Sequence, residues 1–228
     1  MSVWLEKEDN STKGNSASMT DVIFKIECQS LPVDHAAALS QALCANLDWL
    51  KDSPNAGIHP VHVAGSQNGW QRPESSDQPL LLSKRTRLKV RVDTALSEKL
   101  INSLKNTTHH VDQHPLKILD GRLMPIQPVA TLFSRYTVYL QDQANAADER
   151  VFEQQVIAQC ERIGFTPTKI LCGRSNTISF NGENISVRSV MLADVPVENS
   201  VVLQETGLGD LRLIGCGIMI PHKDTGAV

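Results

Sequence analysis

The sequence has no apolar run approaching the roughly 18 residues that a membrane-crossing helix requires, so no membrane partner is expected. Its opening, MSVWLEKEDNSTKGNSAS, lacks the apolar stretch of a secretory signal. It also lacks any Cys-x-x-Cys pair. The five cysteines, Cys28, Cys44, Cys160, Cys172 and Cys216, are odd in number and widely spaced. That pattern indicates neither zinc nor a disulfide framework and suits reduced thiols. Together these absences place the expected chain in the cytoplasm, with no metal and no cofactor. Two phosphate-binding loops are missing as well. The glycine-rich stretch GLGDLRLIGCG, Gly207 to Gly217, would need glycine where Arg212 stands to be a dinucleotide fingerprint, and it has no Gly-Lys-Ser/Thr ending.

What is present is a 228-residue chain, 41% hydrophobic, long enough to bury a sizeable core as one large domain or as two of about 100 residues. The net charge of −3 argues globally against a polyanionic partner, but distribution matters more than the sum. LLLSKRTRLKVRV, Leu80 to Val92, carries Lys84, Arg85, Arg87, Lys89 and Arg91 and no acid.

Residues 1–19 read as a disordered tail, rich in Ser, Asn, Lys and Gly. DVIFKIECQ then alternates Val22, Phe24, Ile26 and Cys28 against polar neighbours, which predicts a strand. DHAAALSQALCANLDWL predicts a helix capped by Asp34. IHPVHVA, the basic segment, the helix DTALSEKLINSLKN and the strand PLKIL follow. The order strand, helix, strand, strand, helix, strand is the split βαβ pattern of a ferredoxin-like domain over residues 20–124. Pro125 and Pro128 flank a linker, after which TLFSRYTVYLQ reads as a strand and ADERVFEQQVIAQCERIGF as a helix with Phe152, Val156, Cys160 and Ile163 inward. KILCGRSNTISF, NISVRSVML and SVVLQ read as strands, leading to the glycine loop and IMI. The expected architecture is α+β: two tandem ferredoxin-like domains, the second at 129–228 and less regular, with a single larger α+β domain as the alternative.

As a strand, the basic segment would set Arg85, Arg87, Lys89 and Arg91 on one face about 6.6 Å apart. That spacing suits the phosphates of an RNA backbone, or else forms a solvated outer sheet face. His35 directly follows Asp34, in the first turn of a helix, where free N–H groups attract phosphate and the dipole disfavours imidazolium. A neutral imidazole beside a phosphate is what a general base requires. His59, in GIHPV, is the other candidate of this half. His109, His110 and His114 lie in HHVDQH, read as a polar connection.

Taken together, LPVDHAAAL, GIHPV, LLLSKRTRLKVRV, CGR and GCGIMIPHK resemble the CRISPR-associated endoribonucleases that cut repeat RNA into guide RNAs, within the RAMP superfamily. GLGDLRLIGCG is similar to their signature of two Gly-hydrophobic-Gly units around a cation, and the quoted segments look like the myxococcal-type (MYXAN) type I variant. The resemblance implies metal-independent cleavage of CRISPR repeat RNA, in which the 2′-hydroxyl attacks the adjacent phosphorus to leave a 2′,3′-cyclic phosphate and a 5′-hydroxyl. It marks His35 as the base. The only tyrosines, Tyr136 and Tyr139, lie in the second half, so His59, Lys84 or Arg85 would stand in for the assisting tyrosine found in several members. It further implies that Gly207, Gly209, Gly215 and Gly217 bring backbone N–H groups to RNA phosphates, with Arg212 adding a charged fork. Arg174 is either a further contact or an ordinary surface arginine. Other Cas proteins of a type I effector complex are expected partners. A non-catalytic RAMP subunit that holds guide RNA is the alternative.

Overall fold

A computed structural model describes residues 17–62, 79–145 and 148–222 of the 228-residue chain. The predicted tail falls outside it up to residue 16. Residues 17–19 belong to the fold: Ser18 N–H donates to Glu205, and the first strand already begins at Met19.

In chain order the first half comprises β1 (Met19–Glu27), β2 (Ser30–Leu31), α1 (Ala36–Cys44), α2 (Asp48–Lys51), β3 (Gly57–Ile58), β4 (Leu80–Leu81), β5 (Arg87–Asp93), α3 (Ser97–Leu104), β6 (Thr107–Val111) and β7 (His114–Pro125). The second half comprises β8 (Leu132–Thr137), α4 (Glu149–Ile163), β9 (Lys169–Phe180), β10 (Glu183–Ala193), α5 (Val197–Thr206) and β11 (Ile220–Pro221). The first sheet runs β3-β5-β1-β7-β6, and the second runs β11-β8-β10-β9. Both are ferredoxin-like, with the first strand of each half between the third and the last. The second half keeps this order without addition and is the more regular of the two. The first half gains an extra edge strand, because HHVDQH forms a β6–β7 hairpin rather than a loop, with His109 buried.

Two further expectations differ. SVVLQ lies in helix α5, where Ser200, Leu203 and Gln204 share a buried face at i, i+3, i+4. A β-branched sequence there is overridden by packing onto the sheet. Helix α1 is shorter than predicted, and its N-cap position is His35; the Asp34 carboxylate accepts instead from Ser179 N–H in the second half.

Strand alternation divides each sheet. In the first, Val22, Phe24, Ile26, Leu88, Val90, Val92, Leu116 and Ile118 join α1 and α3 in one core. In the second, Leu132, Val190 and Leu192 pack with Phe152, Val156, Cys160 and Leu203. A third cluster unites Val138, Ile178, Ile185, Val187, Ile214 and Cys216 with Ala36 and Ala37, so the start of α1 is anchored in the second half.

The halves are also joined by a polar clamp. Arg91 is 1% exposed; its Nε and Nη2 donate to Asp21 Oδ1 at 2.7 Å and Oδ2 at 3.0 Å. Its Nη1 crosses to the second half and donates to the carbonyls of Gln204 and Met219 at 2.7 and 2.8 Å. Burial raises the Asp21 carboxyl, but His59 and Arg91 outweigh that and hold it well below the usual carboxylate range. Removing one partner of such a pair leaves an uncompensated buried charge. Arg91→Met should therefore cost about 3–5 kcal/mol in urea unfolding, and adding Asp21→Asn should recover much of it. A depressed carboxyl contributes its stability above its ordinary pKa and loses it in acid, so the gap between wild type and double variant should narrow only below about pH 4.

Candidate RNA-binding site

The basic segment forms β5 only from Arg87 onward. Lys84 and Arg85 lie in the preceding turn, exposed, and do not extend the strand face. Arg91, at the other end, is consumed by the clamp. The predicted ladder of four cations is thus corrected to Arg87 and Lys89, both half-buried, and Arg87 Nη1 folds back onto the Lys84 and Thr86 carbonyls. Register supplies what sequence reading missed. Lys25 stands opposite Arg87 on β1, and Ile23 has Lys89 on one side and Arg122 of β7 on the other. A cationic surface of Lys25, Arg87, Lys89 and Arg122 therefore runs across three strands, on the face opposite the helix-side core.

His59 lies beside it, its N–H donating to Lys89 O at 3.0 Å and its Nε2 3.3 Å from Asp21 Oδ1. Burial pulls its pKa down despite the neighbouring carboxylate. His59 is thereby part of the clamp. His35 is only 4% exposed; its Nδ1 is 2.9 Å from Pro32 O, and its Nε2 accepts from Val61 N–H at 2.9 Å. The ring is held as the neutral tautomer with hydrogen on Nδ1. This corrects the expectation of an open helix-end imidazole, because Val61 covers the lone pair a base would use.

The glycine loop is also corrected. Its backbone N–H groups are used within the protein: Gly207 N–H donates to Leu203 O, Gly209 to Gln159 Oε1, Gly215 to Arg212 O and Gly217 to Tyr136 O. The glycines serve close packing instead of a phosphate cradle. A side chain at Gly207 would collide with the Arg212 guanidinium, one at Gly209 with Val138 O, one at Gly215 with the Pro60 ring, and one at Gly217 with Leu208 O. Each has positive φ, from 65° at Gly217 to 82° at Gly215, where L side chains are strained.

Arg212 is what this tight loop positions. It is 8% exposed and donates from Nη2 to Asn55 O of the first half at 2.9 Å. Its Nε and Nη1 are buried without a partner among the described residues. Burial, reinforced by the guanidinium of Arg91 and partly offset by Asp21, lowers its pKa to about 9. It remains a cation at neutral pH, and Asp21, the carboxylate that offsets it in part, is already bound bidentately by Arg91. Arg212 lines a cleft of about 1010 Å³ between α1, the glycine loop and the β9–β10 turn, with Ala37, Gln41, Lys51, Phe180 and Asn181 among its other walls. Arg174, on β9, is exposed and does not line it. The described residues contain no group of three His, Cys, Asp or Glu side chains placed to hold a metal ion.

A family model described as Cas6 Crispr matches residues 20–224. The CRISPR-associated endonuclease Cas6 of Myxococcus xanthus is 24% identical over 208 residues, covering 91% of this chain and 84% of that protein. Among solved structures, one titled CRISPR associated protein Cas6 has a TM-score of 0.60 at 9% identity, covering 90% of this chain and 100% of its own. One titled as a RAMP protein binding different RNA substrates has a TM-score of 0.58 at 12% identity, covering 88% and 98%.

The packing of the loop fixes what a substitution there should do. Gly217→Ala combines an unfavourable φ with a backbone collision, and thermal unfolding should report a loss of about 1–3 kcal/mol. A fully stable variant would mean the loop tolerates a side chain and is not packed as described.

Proposed function

Because this chain belongs to the Cas6 family, we propose that it is an endoribonuclease that binds CRISPR repeat RNA and cuts precursor transcripts into guide RNAs. The observation that supports the site is Arg212, a buried cation on the wall of a large cleft, two of whose nitrogens have no partner among the described residues. Leaving such donors unsatisfied costs stability. A phosphate entering the cleft beside this guanidinium would offset its charge. The Lys25, Arg87, Lys89 and Arg122 surface supplies further phosphate contacts, which confer affinity without sequence specificity.

The reaction we propose is transesterification. The ribose 2′-hydroxyl gives its proton to a base as its oxygen bonds to the adjacent phosphorus; the bond from phosphorus to the 5′-oxygen breaks, and that oxygen takes up a proton. The products are a 2′,3′-cyclic phosphate and a 5′-hydroxyl. His35 is the proposed base, since it immediately precedes α1, whose Ala37 and Ala38 line the cleft. Its unprotonated Nε2 is already oriented, and the 2′-hydroxyl would replace Val61 N–H as its partner. His59 is assigned to holding the clamp. A second reading, an RNA-binding subunit that does not cut, is favoured by one observation: both ring nitrogens of His35 are engaged.

Arg212→Met should leave unfolding stability unchanged or higher, since it removes an incompletely paired buried charge, while RNA binding weakens roughly 10- to 100-fold. Equal losses of stability and binding would make Arg212 a structural residue. In single-turnover assays on a CRISPR repeat transcript, His35→Ala should slow cleavage roughly 10²–10⁴-fold with binding preserved. Cleavage should persist in chelator and stop when the ribose upstream of the cut is 2′-deoxy. Cutting of the deoxy substrate at that bond would eliminate the mechanism, and a wild type that binds repeat RNA without cutting it would select the second reading.

A further inference from the structure

On the second sheet, the face opposite α4 and α5 has a pattern that the cleft does not use. Register sets Ile220 opposite Phe133, Phe133 opposite Met191 and Met191 opposite Leu171, so each of four strands contributes one apolar residue to a single row. Their chain neighbours Leu132, Leu192, Ile170 and Met219 pack in or against the helix-side core, and strand alternation sends the row to the opposite face. Leu171 is 61% exposed, and the other three are half-buried.

The next row is irregular on both sides of β10. Between the pairs Ser134–Val190 and Thr137–Arg188, β8 has one residue more than β10. Between Cys172–Val190 and Ser175–Arg188, β9 also has one more. Two bulges thus meet at Ser189, which is flanked by Arg135 and Tyr136 on one side and by Gly173 and Arg174 on the other. A Cβ on Gly173 would strike the Ser189 hydroxyl. Bulges re-aim side chains and recur beside functional sites. Here they bring two exposed arginines next to the apolar row, and neither pairs with a carboxylate among the described residues.

An aromatic ring on one central strand, a thioether on the other and arginines one row away match the needs of unpaired RNA. Base faces stack on rings and apolar side chains, while guanidinium groups reach the phosphates. The ring of His222 packs against Phe133 at 5.8 Å between centroids and adds a polar neighbour. An apolar protein partner would be satisfied by the row but gives no reason for two unneutralised arginines beside it.

We propose that this face is a second RNA surface that holds a single-stranded segment flanking the cut, with Phe133 stacking on a base and Arg135 and Arg174 meeting phosphates. It rests on the reading that the protein acts on repeat RNA. The test titrates the full chain with fluorescent single-stranded oligo(A) RNA, following anisotropy, with cleavage of a CRISPR repeat transcript measured in parallel. Phe133→Leu keeps apolar volume but removes the ring, and should weaken oligo(A) binding roughly 5- to 100-fold, while Phe133→Tyr retains it. Arg135→Gln and Arg174→Gln should each lower the salt slope by about 0.7. If wild type cuts the transcript while Phe133→Leu binds oligo(A) as wild type does, this surface is overturned and the nuclease reading stands. If wild type neither binds nor cuts repeat RNA, both fail together. Self-association of the wild type in sedimentation, abolished in Phe133→Leu, would assign the face to a second copy of the chain and likewise overturn the proposal.

Discussion

The buried ion pair of Arg91 with Asp21 fixes how the two ferredoxin-like halves meet. One guanidinium satisfies both carboxylate oxygens from its Nε and Nη2 and spends its remaining nitrogen on two carbonyls of the other half. A pair of charges so far from water holds only when its geometry and hydrogen bonding are nearly complete, which makes the docking directional in a way that apolar contact alone would not be. His59 adds a further contact to the same carboxylate, and β3, which ends just before it, is held on β5.

Arg212 derives its character from that arrangement. Arg91 takes both oxygens of Asp21, so the second guanidinium that the glycine loop places nearby does not share that carboxylate. The loop can bring it there because Gly207 leaves room for the guanidinium and Gly217 lets the chain double back against Leu208. The result is a second buried guanidinium on the cleft wall, two of whose nitrogens have no partner among the described residues.

The same alternation that builds the two cores also exposes two distinct faces. On the first sheet the outward face includes Lys25, Arg87, Lys89 and Arg122, drawn from three strands; on the second, one end of that face carries an apolar row with arginines set by paired bulges. The clamp joins the halves where Arg91, on the outward face of β5, meets the carbonyl of Met219 just before β11.

Much was legible in local pattern. The alternation around Phe24, the 3.6-residue period of Phe152, Val156 and Cys160, and the order of elements are set by short-range backbone geometry, and they determined the class and the ferredoxin-like repeat. The spacing of the terminal glycines marked a loop of special conformation. The rest depended on which strand lies beside which. Sequence alone could not separate Arg91 from Arg87 and Lys89, because burial at that position comes from Asp21, seventy positions earlier, and from carbonyls more than a hundred positions later. It could not set Lys25 and Arg122 beside β5, nor align two bulges at Ser189, since register is a relation between distant segments. It made a strand of SVVLQ because β-branched residues favour one in isolation, whereas packing against the sheet decided for helix. Long-range contacts settle a side chain's charge environment, and only the tertiary structure contains them.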